Sequence, residues 1–433
     1  MTDEKIGNRN LVILGALMIQ LCLGSIYAWS FFQTVLNGGI PPVGVYLWPG
    51  LSSQLPFAAG LASFALFMIF AGRWQDRVGP RKVATIGGIL LGAGYILAFF
   101  VDTVAGSDPL LGTVYLIITY GIIGGAGIGF AYVCPIAALV KWFPDKKGAI
   151  TGIAVAGFGA GALIFGYIEQ ILLTFFDVPA TANIGKPMLI LGIVYLILVV
   201  LGSQLLTNPP QGWFPEGYTP PKTTTFGYDN GMMPGQMIRT PTFWLLWLMF
   251  AFAATAGLMT LGNVKTASLA IDAATDGVVI VGVMSLLNAA GRIVWGATSD
   301  KFGRENTMIL MFSLLAVGMF TFAWMSTVSI SWLAVMGIAS LIGFCFGGNF
   351  ALFPSATVDS FGSENVGKNY GVMFTAYGIA GITGAFVAGP IVELTGSYSM
   401  AFMVTGVLAI IAVLLTIVLR AVLWRVFIFE VED

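Results

Sequence analysis

The stretch "GRWQDRVGPR" runs from Gly72 to Arg81, and "GATSDKFGRE" from Gly296 to Glu305. Both fit G-x-x-x-D-[RK]-x-G at an offset of 224 residues, which pairs Gly72 with Gly296, Asp76 with Asp300, Arg77 with Lys301 and Gly79 with Gly303. Each lies where one long apolar run ends and another begins. Glycines suit a tight turn at such a junction, and Asp76 can cap a helix end or pair with nearby arginines, while the second copy continues into Arg304. Phe130-Ala131 with Pro135 and Phe350-Ala351 with Pro354 repeat at nearly the same offset. A match at the same loop of both parts of the chain reads as a duplicated unit. Repeated halves are the build of many secondary transporters.

Working outward, apolar segments fall at 11–36, 54–73, 83–101, 111–142, 149–173, 186–206, 243–264, 277–298, 307–327, 329–353, 369–391 and 400–424. The chain is 58% hydrophobic and 9% charged, where a soluble domain carries about 25% charged residues. It could not present a charged surface to water all round. Segments of this length cross a bilayer as helices, which satisfy their own backbone groups in lipid. The expected fold is an all-α membrane protein of twelve transmembrane helices in two six-helix halves. "NPPQGWFPEGYTPPKTTTFGYDNG" lies in a stretch without helical periodicity, so residues 207–240 read as a linker between halves 1–206 and 241–433.

Positive charge sets the orientation. The termini and the even-numbered loops hold all of the 19 Lys and Arg residues except Lys186, Lys265 and Arg292. Both termini and the linker are therefore expected in the cytoplasm, with the protein in the cell's inner (plasma) membrane. The N-terminal "MTDEKIGNRN" is polar, and the apolar run after it is too long for a signal h-region, so it reads as a first transmembrane helix. Net charge is −1, which gives nucleic acid no attraction. Cys22, Cys134 and Cys345 lie in apolar runs and read as packing residues, and the chain has no histidine. No metal, cofactor or enzymatic activity is expected.

Arg292 stands inside "LLNAAGRIVWGATSDKFGR", an otherwise apolar run. A guanidinium keeps its proton, and in hydrocarbon that costs at least about 3 kcal/mol. Arg292 lies about seven residues from the turn at Ser299, roughly 10 Å of helix rise. It either snorkels to interfacial water or faces an aqueous cavity between the halves and binds an anion. The second reading is favoured. Glu169, Asp272, Asp276 and Glu393 all fall near the outer ends of their helices, so none is placed to neutralise it. Met68 occupies the corresponding position of the first half, so the repeat does not demand the charge. Asn288 is one turn away on the same face, placed to hold Arg292 or to touch a ligand.

The loop pattern resembles the signature of the major facilitator superfamily, from which Pro80 departs. "KWFPDKKGAITGI" from Lys141, "MIRTPTFWLLW" from Met237, "ALFPSATVDSFG" and "KNYGVMFTAYG" are similar to the oxalate:formate antiporter family, relatives of the monocarboxylate transporters. The resemblance spans nearly the whole chain. It implies a carrier of small carboxylate anions in which Arg292 binds the carboxylate, and the carrier is expected to act as a monomer. It also implies pocket roles for Tyr27 on helix 1 and Tyr132 on helix 4, and for Phe346, Asn349 and Phe350 on helix 10. The family's oxalate transporter has tryptophan and tyrosine where Phe346 and Phe350 stand, and a tryptophan where Phe374 stands. It has a second cation, a lysine, where helix 11 here has Tyr377. Animal monocarboxylate transporters have an aspartate, tied to proton coupling, where Asn288 stands.

One pocket cation suits one carboxylate, since a second anion would be desolvated and unpaired. The expected substrate is a monocarboxylate such as lactate, pyruvate or formate, carried with a proton by alternating access. Carboxylate antiport is a second reading, and a non-transporting carboxylate sensor a third. The glycine-rich runs "GIIGGAGIGF" and "GFGAGA" are expected at close helix contacts rather than around phosphate.

Overall fold

The computed structural model describes residues 9–38, 46–178, 183–210, 213–215, 231–272, 274–362 and 365–431, with backbone alone at 147–149, 151, 385, 393 and 422–431. Much of the 207–240 linker and the side chain of Glu393 lie outside the described residues.

Among the described residues twelve helices are long and apolar enough to cross a membrane. They are α1 (Arg9–Leu36), α2 (Gly50–Val78), α3 (Pro80–Ala98), α4 (Pro109–Trp142), α5 (Gly152–Phe175), α6 (Gly185–Gln204), α7 (Pro241–Ile271), α8 (Gly277–Phe302), α9 (Arg304–Met325), α10 (Trp332–Phe361), α11 (Val366–Val392) and α12 (Ser399–Ala421). They match the twelve apolar segments one for one, and form two six-helix halves. Leucine, isoleucine, valine and phenylalanine side chains such as Leu66, Phe70, Ile293 and Val294 remain exposed on the outer faces. That surface suits hydrocarbon and not water.

Helices α2 and α8 run further than their apolar segments, to Val78 and Phe302. Polar residues continue each helix until a glycine stops it. Gly79 (φ +87°) and Gly303 (φ +84°) take the left-handed region that other residues avoid. The two repeated motifs are thus one backbone turn used twice. We call the side of the bundle carrying them the signature face.

Gly72 corrects the expectation of a turn glycine. It lies inside α2, and a Cβ there would collide with the backbone of Gly367 on α11. The pairing of Asp76 with an arginine is also not found. Pro80 occupies the position that Arg304 holds in the second half, so Asp76 accepts instead from Gln75 Nε2 (2.6 Å) and lies within electrostatic reach of Lys141 and Lys368. In the second half Arg304 donates to Asp300 (2.7 Å) and Asp359 (2.9 Å), tying α8, α9 and α10 together. Arg77 and Lys301 are exposed.

The halves meet along two helix pairs, α5 with α8 and α2 with α11. In lipid, helices gain by close packing, and small residues permit it. A Cβ at Gly152 would stand 2.7 Å from the Arg292 carbonyl oxygen, and one at Gly159 2.7 Å from Asn288 Oδ1. Opposite, Gly371 and Gly378 of α11 lie against Met68 and Ala65 of α2. Three helices depart from regular α geometry near their middles. α1 tightens into a 3-10 turn at Ser25–Ala28, α4 widens into a π segment at Ile117–Gly124, and α11 breaks between Met373 and Thr375. Such irregularities favour hinges and functional sites.

Candidate functional site

Arg292 projects from the middle of α8 into the bundle and is 0% exposed. It neither snorkels nor meets an aqueous cleft. Its Nε donates to Asn288 Oδ1 (3.1 Å), and its Nη1 to the Val155 carbonyl of α5 (2.8 Å). Its Nη2 is buried without a partner. The guanidinium lies over the Phe350 ring, 4.1 Å from the centroid, and 5.3 Å from that of Phe158. Ring faces attract a cation, and a delocalised guanidinium tolerates such stacking better than an ammonium. Among the described residues the ion pairs are those of Arg304, so no carboxylate neutralises Arg292.

Asn288 is hydrogen-bonded at both ends of its amide. Its Oδ1 accepts from Arg292 and its Nδ2 donates to the Gly343 carbonyl of α10 (3.1 Å). One end of the amide thus meets the cation and the other the α10 backbone.

Around Arg292 stand four tyrosines, Tyr27, Tyr132, Tyr370 and Tyr377, all within electrostatic reach of the guanidinium. The hydroxyls of Tyr27 and Tyr377 are hydrogen-bonded at 2.8 Å. Those of Tyr132 and Tyr370 are buried and make no hydrogen bond of regular length, but face each other, and Tyr132 faces Arg292. Phe374 stacks near Tyr377 (4.7 Å) and Tyr132 (5.4 Å), and Phe346 packs on Phe350 (5.2 Å) and Tyr27 (6.2 Å). Arg292, Asn288, Tyr27, Tyr132, Tyr377, Phe346, Phe350 and Phe374 therefore form one cluster. Asn349 is apart from it in bonding. Its Nδ2 donates to the Phe346 carbonyl of its own helix (3.0 Å), and it makes no bond to Arg292.

Sequence reading missed four members. Phe158 edges onto Tyr27 (5.1 Å) and Tyr132 (5.3 Å), and Phe64 onto Tyr132 (5.0 Å) and Phe374 (4.9 Å). Tyr370 and the Val155 carbonyl complete the set. Tyr370 was findable, since it stands one helical turn before Phe374. Phe158 lay inside "GFGAGA", where the glycines drew attention.

The expected open cavity lies elsewhere. A cavity of about 640 Å3 opens on the face opposite the signature face, lined among others by Gln33, Gln54, Asn263 and Tyr398. A narrower gap beneath it is lined by Phe57, Leu258 and Gly381. On the signature face the space between Val133, Ser355 and Tyr370 shrinks to about 10 Å3. Aromatic rings and the Tyr27–Tyr377 bond seal Arg292 from both. The site is thus a cation with one donor edge unused, enclosed by rings and hydroxyls from both halves. That set can bind one small anion through the guanidinium and hydroxyls, and cover its apolar part with phenylalanines.

The Major Facilitator Superfamily profile matches residues 10–385. The oxalate:formate antiporter of Oxalobacter formigenes is 30% identical over 411 residues, covering 94% of this chain and 90% of that one. The uncharacterized MFS-type transporter YhjX of Escherichia coli (strain K12) is 31% identical over 379 residues, 86% of each. The apicoplast pyruvate carrier 1 of Toxoplasma gondii is 25% identical, covering 84% of this chain and 80% of its own. Among solved structures, the proton:xylose symporter XylE bound to 6-bromo-6-deoxy-D-glucose superposes with a TM-score of 0.68 at 14% identity, over 94% of both chains. That likeness concerns the fold alone.

Proposed function

The chain belongs to the major facilitator superfamily, and we propose that it carries small monocarboxylates such as lactate, pyruvate or formate across the cell's inner (plasma) membrane by alternating access. The observation that carries this reading is the Arg292 guanidinium, buried between the halves with its Nη2 unpaired. A buried charged donor without a partner costs several kcal/mol, on the order of 2–5, which a bound carboxylate relieves. A bidentate carboxylate matches the fork, and the tyrosine hydroxyls supply further donors. The names of the relatives support the substrate class: one is an oxalate:formate antiporter, another a pyruvate carrier.

Tyr377 in place of a cation argues for one carboxylate rather than two. Phe346, Phe350 and Phe374 suit a small apolar remainder. In the transport cycle residues 1–206 and 241–433 act as the two moving bodies, sliding along the glycine-lined α5–α8 and α2–α11 contacts. The signature face is taken as cytoplasmic, from the distribution of positive charge. The driving force in this reading is a co-transported proton.

The test is uptake of labelled lactate, pyruvate and formate into proteoliposomes, with and without an inward proton gradient. The gradient is expected to raise uptake of at least one of the three. Equal uptake in both conditions removes symport, and uptake of none removes the substrate class. Carboxylate antiport is favoured by the 30% identity to an oxalate:formate antiporter. It would show as uptake that requires a carboxylate on the far side.

A further inference from the structure

Arg292 has a counterpart of opposite sign. Glu169 lies on α5 eleven residues beyond Phe158, roughly 16 Å further along the same helix. It is 0% exposed, and neither carboxyl oxygen has a hydrogen-bond partner. Resting on the symport reading above, we propose that Glu169 is the residue that binds the co-transported proton.

The surroundings of the carboxyl are aromatic hydroxyls from three other helices. Tyr95 of α3, Tyr120 of α4 and Tyr195 of α6 are each within electrostatic reach of it. Their rings form one cluster, Tyr95 standing 5.2 Å from Tyr120 and 5.0 Å from Tyr195. The hydroxyls of Tyr120 and Tyr195 are buried, make no hydrogen bond of regular length, and face Tyr95 and Ser25. Beside Tyr195, on the α1 side, stand the Cys22 thiol and the Ser25 hydroxyl, whose Oγ donates to the Cys22 carbonyl (2.8 Å). The cations towards this end of the bundle are engaged elsewhere. Lys186 lies over the Phe176 ring and Lys265 over that of Phe31. Phe31 also packs on Gly166, one turn from Glu169.

An ionised carboxylate so fully buried would have no counter-ion among the described residues, a situation folded proteins avoid. The neutral acid fits: one oxygen carries the proton and can donate to a tyrosine, and the other accepts. Loading forms one carboxyl O–H bond as one O–H bond of a hydronium ion breaks and leaves water. Release breaks the same bond when the cluster opens to water. Electrons and other groups are not exchanged.

One backbone irregularity joins this cluster to the Arg292 site, and a second lies within the cluster itself. The 3-10 turn Ser25–Ala28 of α1 carries Ser25 beside Tyr95 and Tyr195, and two residues on it carries Tyr27, bonded to Tyr377. The π segment Ile117–Gly124 of α4 carries Tyr120. A shift of the α1 turn during the rocking of the halves moves groups at both sites, and a shift of the α4 segment moves Tyr120 beside Glu169. One acid's negative charge at Arg292 and one proton at Glu169 make the transported pair electrically neutral.

The experiment compares wild-type protein with Glu169→Gln, a neutral isostere of the protonated acid, in proteoliposomes loaded for pyruvate or lactate uptake. With one proton per acid, a gradient of about one pH unit drives about tenfold accumulation in the wild type and none in E169Q. Labelled counterflow, which needs no net proton movement, continues in the variant and shows it folded and loaded. Infrared spectra of the wild type contain a protonated-carboxyl C=O band that E169Q lacks. Gradient-driven accumulation by E169Q, or absence of that band from the wild type, overturns the assignment. A wild type indifferent to the gradient would remove the symport reading and this role together, whereas a responsive wild type with a responsive E169Q removes the role alone.

Discussion

The hydroxyls of Tyr27 on α1 and Tyr377 on α11 meet at 2.8 Å, joining the two halves of the molecule beside Arg292. Both side chains are buried, so the bond lies in a low-dielectric interior. In the proposed cycle it must break whenever the halves part on that side. Removing one hydroxyl costs about 0.5–1.5 kcal/mol, and removing the second adds little, because the bond is already gone. Tyr27→Phe, Tyr377→Phe and the double variant are therefore expected to be non-additive in pyruvate or lactate affinity. Strictly additive losses would mean that the hydroxyls act separately.

Asn288 holds the cation from within its own helix. Asn288→Asp replaces a neutral acceptor by a carboxylate at 3.1 Å from Nε. The substituted carboxylate would neutralise Arg292 and compete with the substrate. Affinity for monocarboxylates is expected to fall about tenfold or more at neutral pH. The sign of the pH dependence follows, since protonating the new aspartate at low pH frees the guanidinium and restores binding. Titration calorimetry across pH checks it, and a loss that does not recover in acid would contradict the account.

Tyr377 sets how many negative charges the pocket accepts. Tyr377→Lys places a second cation where α11 faces Arg292. Oxalate affinity is expected to rise by about 1–3 kcal/mol relative to a monocarboxylate. Thermal shift against oxalate, formate, lactate and pyruvate reads this directly. An unchanged ranking would show that the α11 position does not face the second carboxylate.

Gly72 governs closure at the signature face. Its missing Cβ lets α2 touch the Gly367 backbone of α11. Gly72→Ala forces those helices apart and weakens the closed packing by about 1–3 kcal/mol. A cysteine placed at Ser355, which is buried near that face, is expected to alkylate faster in the Gly72→Ala background. Equal alkylation rates would show that α2–α11 contact does not close this side.

The twelve helices were legible because membrane-spanning sequence is constrained by length and hydropathy alone. Arg292 was legible for a related reason, since a permanent charge in an apolar run has few acceptable surroundings. Tyr27, Tyr132, Tyr377 and the three phenylalanines came from the resemblance, as no periodicity separates a pocket aromatic from a packing one. Phe158, Phe64 and the Val155 carbonyl were missed on that ground. The closure of the site was also not legible, because it depends on how rings from both halves meet. Glu169 shows the limit most clearly. Its place near a helix end reads as interfacial, and its burial follows from three tyrosines on three other helices.

The central claim is that Arg292 is the carboxylate-binding group, and the most direct measurement is titration calorimetry of lactate and pyruvate into the purified wild type and Arg292→Lys. A lysine keeps the charge but lacks the fork, its bond to Val155 and the stacked plane over Phe350. The account predicts binding by the wild type and a loss of about 2–4 kcal/mol, roughly thirtyfold or more, in the variant. Equal affinities in the two proteins would contradict it.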